Sequence, residues 1–106
     1  MINFLKKLLG LGSPTITPEQ LAVSTVIDVR SRAEYKTGHV MGSVNIPLPE
    51  LDASMSKIKA MNTPIVTCCR SGARSGMAAR KLKAAGIEAI NAGTWQSVDR
   101  IANTAE

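Results

Sequence analysis

Aromatic residues are nearly absent from this 106-residue chain: Phe4, Tyr35 and Trp95 make up the whole 3%. Proteins that bind single-stranded nucleic acid stack bases on several exposed rings. Three scattered rings cannot supply that, no nucleic-acid motif is present, and no nucleic-acid partner is expected. Histidine occurs once, at His39, and cysteine twice, at Cys68 and Cys69, side by side. One imidazole and two adjacent thiols fall short of a tetrahedral zinc site, so no metal and no cofactor are expected. Two cysteines cannot build a disulfide framework, and neighbouring cysteines rarely bridge each other because the small ring distorts the peptide between them. No apolar run approaches the ~20 residues of a membrane-spanning helix. The opening Met-Ile-Asn-Phe-Leu-Lys-Lys-Leu-Leu also lacks the order of a secretory signal, in which charge precedes the apolar run and small residues end it. A cytoplasmic location is expected.

Hydrophobic residues reach 44%, enough for a globular chain, and the length suits one small domain with a single core. With so few rings, that core is built from Ile, Val, Leu, Met and Ala. The boundaries expected are an amphipathic tail over 1–14 and one domain over 15–106. In the tail, Ile2, Phe4, Leu5, Leu8 and Leu9 either pack on the domain or touch a membrane peripherally. The net charge of +5 is unevenly placed: Arg70, Arg74, Arg80, Lys81 and Lys83 fall between Cys69 and Lys83 with no acid among them. Such a stretch focuses positive potential and favours a small anionic partner. A plain solvated helix face is the alternative for the lysines.

Strand and helix patterns alternate. Thr25–Val29 is β-branched and reads as a strand. Ser31 followed by Glu34 is a capping-box pattern that starts a short helix ended at Gly38. Ser43–Ile46 reads as a second strand, closed by Pro47 and Pro49. From Glu50 to Met61 the apolar residues Leu51, Met55, Ile58 and Met61 recur at helical spacing. Ile65–Cys68 is apolar on both faces, as in a central parallel strand. Ser75–Ala85 is helical with Gly86 just past its end, Glu88–Asn91 is a last strand, and Gln96–Ala102 a last helix. This order predicts an α/β fold with a mainly parallel sheet flanked by helices, and ligand sites in such folds lie at the C-terminal ends of strands.

The cysteine pair sits at one of those ends, in Thr-Cys-Cys-Arg-Ser-Gly-Ala-Arg-Ser-Gly. Six residues are expected between strand and helix. Small side chains let consecutive N–H groups turn inward, Gly72 allows backbone geometry closed to other residues, and the helix adds the positive end of its dipole. Two guanidinium groups, Arg70 and Arg74, stand close by. Each feature favours thiolate over thiol. A free cysteine titrates near about 8.5, and comparable settings lower that to about 3.5–7.5. The sulfur in this cradle is therefore a candidate nucleophile, provided that it is open to solvent. Spacing alone leaves two assignments: Cys68 stands in a C-x5-R-S phosphatase pattern, and Cys69 in C-x4-R. Because the strand has to end before the loop can curl, Cys68 is expected to be its last residue, a small buried hydrophobe or else a thiol that resolves an oxidised Cys69.

Ile27–Leu48 (Ile-Asp-Val-Arg-Ser-Arg-Ala-Glu-Tyr-Lys-Thr-Gly-His and onward) and Val66–Gly86 resemble the two signatures of rhodanese domains, closest to the small single-domain type of the bacterial phage-shock response. The likeness runs from about residue 16 to Trp95. It implies a flavodoxin-like α/β fold and a thiosulfate sulfurtransferase whose nucleophile is Cys69. It also implies a substrate loop of Arg70, Ser71, Gly72, Ala73, Arg74 and Ser75, with Asp28 and Arg30 in support. The partners implied are an anionic sulfur donor, a thiol or cyanide acceptor, and a sulfur-accepting protein, with the chain itself a monomer. His39 and Trp95 are expected to be structural. The rival readings are a small phosphatase or arsenate reductase of the Cdc25 kind using the same cradle, and a non-catalytic sulfur carrier or binding module.

Overall fold

A computed structural model describes residues 16–104; the tail expected over 1–14 lies outside the described residues. Four strands form one all-parallel sheet in the order β2-β1-β3-β4: β1 is Thr25–Asp28, β2 Val44–Asn45, β3 Ile65–Cys69 and β4 Ala89–Thr94. The helices are α1 (Pro18–Ala22), α2 (Arg32–Lys36), α3 (Met55–Lys59), α4 (Ala73–Ala84) and α5 (Trp95–Asn103).

The sheet buries both faces, and the pleat sorts side chains between two cores. Ile27, Ile65, Cys69 and Ala89 join Ile58 of α3 and Ala78, Ala79 and Leu82 of α4 on one side. Val26, Val66, Cys68 and Ala92 join Leu21 of α1 and Val98 of α5 on the other. Consecutive apolar residues in β3 are thus the signature of a strand covered twice.

The elements depart from expectation in instructive places. Helix α1 was not anticipated, although Thr17-Pro18-Glu19-Gln20 carries its signal. The Thr17 hydroxyl accepts from the Gln20 amide at 3.1 Å, and the Gln20 side-chain oxygen accepts from the Thr17 amide at 2.9 Å, a capping box with Pro at the first turn. The helix expected over Glu50–Met61 is broken into 3-10 turns at Leu48–Glu50 and Asp52–Ser54 before α3 begins. Pro49, without an amide hydrogen, suits such a turn. The apolar spacing still identified what goes inside, since Leu51 and Ile58 are fully buried. Strand β3 runs one residue further than expected, to Cys69, and α4 starts two residues earlier, at Ala73. Only Arg70, Ser71 and Gly72 therefore separate strand from helix, half the connection expected. Strand β4 continues past Asn91 to Thr94 by absorbing an extra residue. Its register with β3 goes from Thr67 opposite Asn91 to Cys69 opposite Thr94, and Gly93 takes φ +84° within that bulge.

Candidate active site

Cys69 ends β3 at the edge of the sheet where α4 begins. Gly72 is the N-cap of α4 with φ +100°, a left-handed conformation that glycine adopts without a Cβ clash. That turn folds the first amides of α4 back over the end of the strand. The Gly72 N–H donates to Cys69 Sγ at 3.1 Å and the Ser75 N–H at 3.4 Å, while the Ser75 hydroxyl lies 3.3 Å from the sulfur. Burial by itself pushes the Cys69 thiol up. The Ser75 hydroxyl and the backbone amides of Ser75, Gly72 and Ser71 outweigh it, and the net displacement is downward from the ordinary cysteine value. A helix N-terminus adds its dipole in the same sense.

Cys68, one residue earlier, points through the sheet into the opposite core. Burial pushes its thiol up to about 12, with the Asp28 carboxylate adding to the rise. The two thiols stand on opposite faces of one strand, so Cys68 cannot reach Cys69 as a resolving thiol without dismantling β3. Of the two expectations for Cys68, the buried hydrophobe is the one the fold realises.

The arginines divide between lip and scaffold. Arg70 is exposed beside Ser71 and Ala73, and among the described residues it has no ion-pair partner. Arg74 lies in the first turn of α4 rather than in a loop, and its guanidinium grips both carboxylate oxygens of Glu34 at 2.7 and 2.9 Å. Glu34 is the capping-box residue of α2 and also accepts from the Ser31 amide at 3.0 Å. The Arg74 hydrogen bonds, then those from Ser31, hold the Glu34 carboxyl far below the usual carboxylate range. One ion pair therefore ties the start of α4 to the start of α2. Asp28 and Arg30 form a buried pair, 0% and 4% exposed at their side chains. Arg30 Nη2 reaches Asp28 at 2.7 Å and the Gly38 carbonyl at 2.7 Å, and the guanidinium lies 5.0 Å over the Trp95 ring. His39 stacks on Tyr35 at 3.7 Å and bonds the Tyr35 carbonyl. These five side chains brace the segments around the strand ends.

One expectation fails. The sulfur was to be open to solvent, yet Cys69 is 0% exposed, covered in this conformation. Gly72 packs beside Gly93, where a Cβ on it would sit at ordinary contact distance, 3.4 Å, from the Gly93 Cα, and Ser71 and Ala73 face solvent. An apolar groove of about 290 Å³, lined by Leu21, Val26, Val40, Met41 and Ala102, lies instead at the opposite, N-terminal edge of the strands. It contains none of the residues assembled at Cys69.

Sequence reasoning passed over two contributors to the cradle. Thr67, buried on the same face as Cys69, donates its hydroxyl to the Ser75 carbonyl at 2.9 Å. Asn91 accepts from the Ser75 hydroxyl at 2.7 Å and from the Gly93 N–H at 3.0 Å, and its amide donates to the Gly72 carbonyl at 3.3 Å. The bulge at Gly93 brings that N–H to Asn91. A polar residue in the apolar run of β3 and another beside Ala92-Gly93 were the available signals.

The site is thus a polarised cysteine between a parallel strand and a helix N-terminus of an α/β sheet. Comparison with known proteins gives the class: the rhodanese-like domain family matches residues 7–97, and the chain belongs to that family. It is 34% identical over 97 residues to the thiosulfate sulfurtransferase PspE of Escherichia coli (strain K12), covering 90% of this chain and 92% of PspE. It is also similar to two Bacillus subtilis (strain 168) proteins. One is YrkF, named as a candidate sulfur carrier (38% over 65 residues), and the other is YqhL, uncharacterized (34% over 80 residues). The chain spans 35% and 63% of their lengths, and they cover 61% and 72% of it. Among solved structures, a rhodanese with anions from E. coli superposes with a TM-score of 0.64 at 32% identity, over 70% of this chain and 89% of that one. These likenesses give the described residues a rhodanese-like fold. Among the described residues no helix is long and apolar enough to cross a membrane.

Proposed function

We propose that the protein is a thiosulfate-type sulfurtransferase that carries sulfur as a persulfide on Cys69. The observation that supports it most is the set of donors on one sulfur: two backbone N–H groups at a helix N-terminus, with the Ser75 hydroxyl beside them. The Cys69 thiolate attacks the outer sulfur of the donor. A sulfur–sulfur bond forms on the enzyme as the bond to the sulfonate sulfur breaks, and its electron pair leaves with sulfite. Cyanide, or a thiolate in the cell, then attacks the outer sulfur of the persulfide and regenerates the Cys69 thiolate. No general base is named, because the donors on the sulfur lower the thiol from its ordinary value and its proton is lost to solvent before attack. The amides of 70–75 stabilise the anionic sulfur through dipoles fixed before the reaction. Arg70, exposed at the lip, draws in the dianionic donor, and Arg74 serves by holding α4 through Glu34. A solved relative described with anions fits a loop of this kind.

The covered sulfur adds a step. The sulfur has to become accessible, and movement of the short Arg70–Gly72 connection, with its glycine N-cap, is the route this reading takes. Two free thiols suit a reducing, cytoplasmic setting. The test is thiosulfate:cyanide transfer by the unmodified chain and by Cys68→Ser and Cys69→Ser, with a phosphate ester as control substrate. Transfer is expected to vanish only in Cys69→Ser, and thiosulfate alone is expected to add the mass of one sulfur to the other two proteins. Transfer that survives in Cys69→Ser and is lost in Cys68→Ser reverses the assignment, and phosphate-ester turnover without sulfur transfer replaces it by the phosphatase reading.

A further inference from the structure

The Ser75 hydroxyl has one proton and two competing destinations. Its oxygen lies 2.7 Å from Asn91 Oδ1 and 3.3 Å from Cys69 Sγ, with the Gly93 carbonyl more distant at 3.4 Å. The orientation of the Asn91 amide is not free. The Gly93 N–H at 3.0 Å requires an acceptor, and the Gly72 carbonyl at 3.3 Å requires a donor. Turning the amide over would set donor against donor and acceptor against acceptor. Oδ1 therefore faces Ser75, and a contact of 2.7 Å between two oxygens needs a hydrogen between them, which only Ser75 can supply. While that hydrogen points at Asn91, Ser75 presents lone pairs to the sulfur, an arrangement that suits a thiol S–H donating to Ser75 and not a thiolate.

We propose that Asn91 is a positioning residue for Cys69: it draws the Ser75 hydroxyl proton to its own oxygen, and that proton turns to the sulfur only when Cys69 ionises. The chain Cys69 S–H to Ser75 O–H to Asn91 Oδ1 holds the neutral sulfur. When the sulfur proton leaves to solvent, the Ser75 hydroxyl rotates without breaking any covalent bond, and the thiolate gains a third donor beside the amides of Gly72 and Ser75. Asn91 thus acts as a brake on ionisation set by the β4 bulge, while its amide steadies the Gly72 carbonyl. Among the described residues no charged or titratable group around Cys69 is hydrogen-bonded to Asn91, and Arg70 is exposed at the lip. Arg74 on α4 is tied to Glu34 of α2, Asp28 on β1 is paired with Arg30, Cys68 faces the other core, and β4 (Ala-Ile-Asn-Ala-Gly-Thr) contributes no titratable side chain.

The inference rests on Cys69 being the reactive thiol, but its test needs no sulfur transfer and no access to the covered sulfur. Thiolate absorbance in the ultraviolet is titrated in Asn91→Ala, Asn91→Asp, Ser75→Ala and the Ser75→Ala/Asn91→Ala double variant, with Cys69→Ser identifying the signal. Asn91→Ala is expected to lower the Cys69 midpoint by about one pH unit, the equivalent of one neutral hydrogen bond. Asn91→Asp, a stronger acceptor for the same proton, raises it. In the Ser75→Ala background Asn91→Ala has no further effect. A scaffold role alone would loosen the amides and move both Asn91 variants upward, in either background, and that result overturns the proposal. So does an unchanged midpoint in Asn91→Ala. If Asn91→Ala fails to fold, Asn91→Val fills the site, favours a strand and lacks the acceptor, and it is read by the same criteria. Loss of thiosulfate turnover with these shifts intact would refute the sulfurtransferase reading and leave the proton coupling standing.

Discussion

Asp28→Asn isolates the buried ion pair that braces the sheet. The substitution keeps the shape and keeps one oxygen for the Arg30 amide, which donates to Asp28 Oδ1 at 3.0 Å. It sets an NH2 group where Asp28 Oδ2 accepts from Arg30 Nε at 3.0 Å and Nη2 at 2.7 Å. At side-chain exposures of 0% and 4%, water does not replace what is lost. Removing one partner of a buried pair costs about 3–5 kcal/mol. The Gly38 and Glu34 carbonyls and the Trp95 ring still hold the guanidinium, which places the cost near the low end, about 3 kcal/mol. Against a total stability of about 5–15 kcal/mol, that is a large fraction. At a slope of about 2 kcal/mol per molar urea, the unfolding midpoint falls by about 1.5 M. The Asp28→Asn/Arg30→Met double variant is expected to lose less than the sum of its singles, since no charge is then left unpaired. Sulfur transfer per folded molecule, assayed in the cold and without urea, is expected to persist. A loss below about 1 kcal/mol, or strict additivity in the double variant, would refute the reasoning; transfer abolished in folded Asp28→Asn would move Asp28 from scaffold to chemistry.

Four other outcomes are expected. Cys68→Ser buries a hydroxyl in an apolar core and costs about 1–3 kcal/mol in chemical denaturation, with transfer retained. Gly72→Ala forces a Cβ onto φ +100° at about 1–2 kcal/mol, and because the Gly72 amide donates to the sulfur, transfer falls by more than the folded fraction does. Alkylation of Cys69 by iodoacetamide is expected to begin at lower pH than in a free cysteine, yet to proceed more slowly per thiolate, because the sulfur is covered; a rate equal to that of a free thiolate contradicts the need for loop movement. The Glu34–Arg74 pair gives an acid signature. The folded Glu34 value is depressed, so its contribution to stability is present above the unfolded value of about 4.3 and is lost as pH falls through the lower folded value. Urea midpoints measured from neutral pH downward are expected to fall less steeply in Arg74→Gln, and an unchanged acid slope would remove that linkage.

What was legible in the sequence follows from which signals are local. The alternation of β-branched runs and helical spacing gave the parallel sheet, because both periodicities are imposed by the backbone. The Ser31–Glu34 capping box was readable for the same reason, and the matching Thr17–Gln20 box was equally readable and overlooked. The ends of β3 and α4 were not local. Cys69 remains a strand residue because β4 pairs with it through Thr94, and that pairing depends on a bulge at Gly93 that looks in sequence like the end of a strand. Arg74 illustrates the same limit. Its position after the cysteine suggests a substrate arginine, whereas its partner Glu34 lies 40 residues away and only the fold unites them. The exposure of Cys69 was also beyond reach, since burial is set by how the whole fold packs around the strand end.

The cysteine pair shows how little of the chemistry belongs to residue type. Cys68 and Cys69 share a strand, the same absence of solvent exposure, and adjacent positions in the chain. Burial raises both thiols. The pleat then separates them: it turns Cys68 toward Val66 and Val98, where nothing among the described residues donates to its sulfur, and Cys69 toward the start of α4, where amides do. Desolvation cannot be the source of the difference between them, because it acts alike on both and opposes ionisation. The donors decide, and they are present because a glycine with positive φ folds a helix N-terminus onto the strand end. A register slip of one residue in β3 would exchange the two sulfurs between faces, so the pairing of Thr67 with Asn91 and of Cys69 with Thr94 decides which sulfur meets the helix amides as surely as the loop that surrounds it.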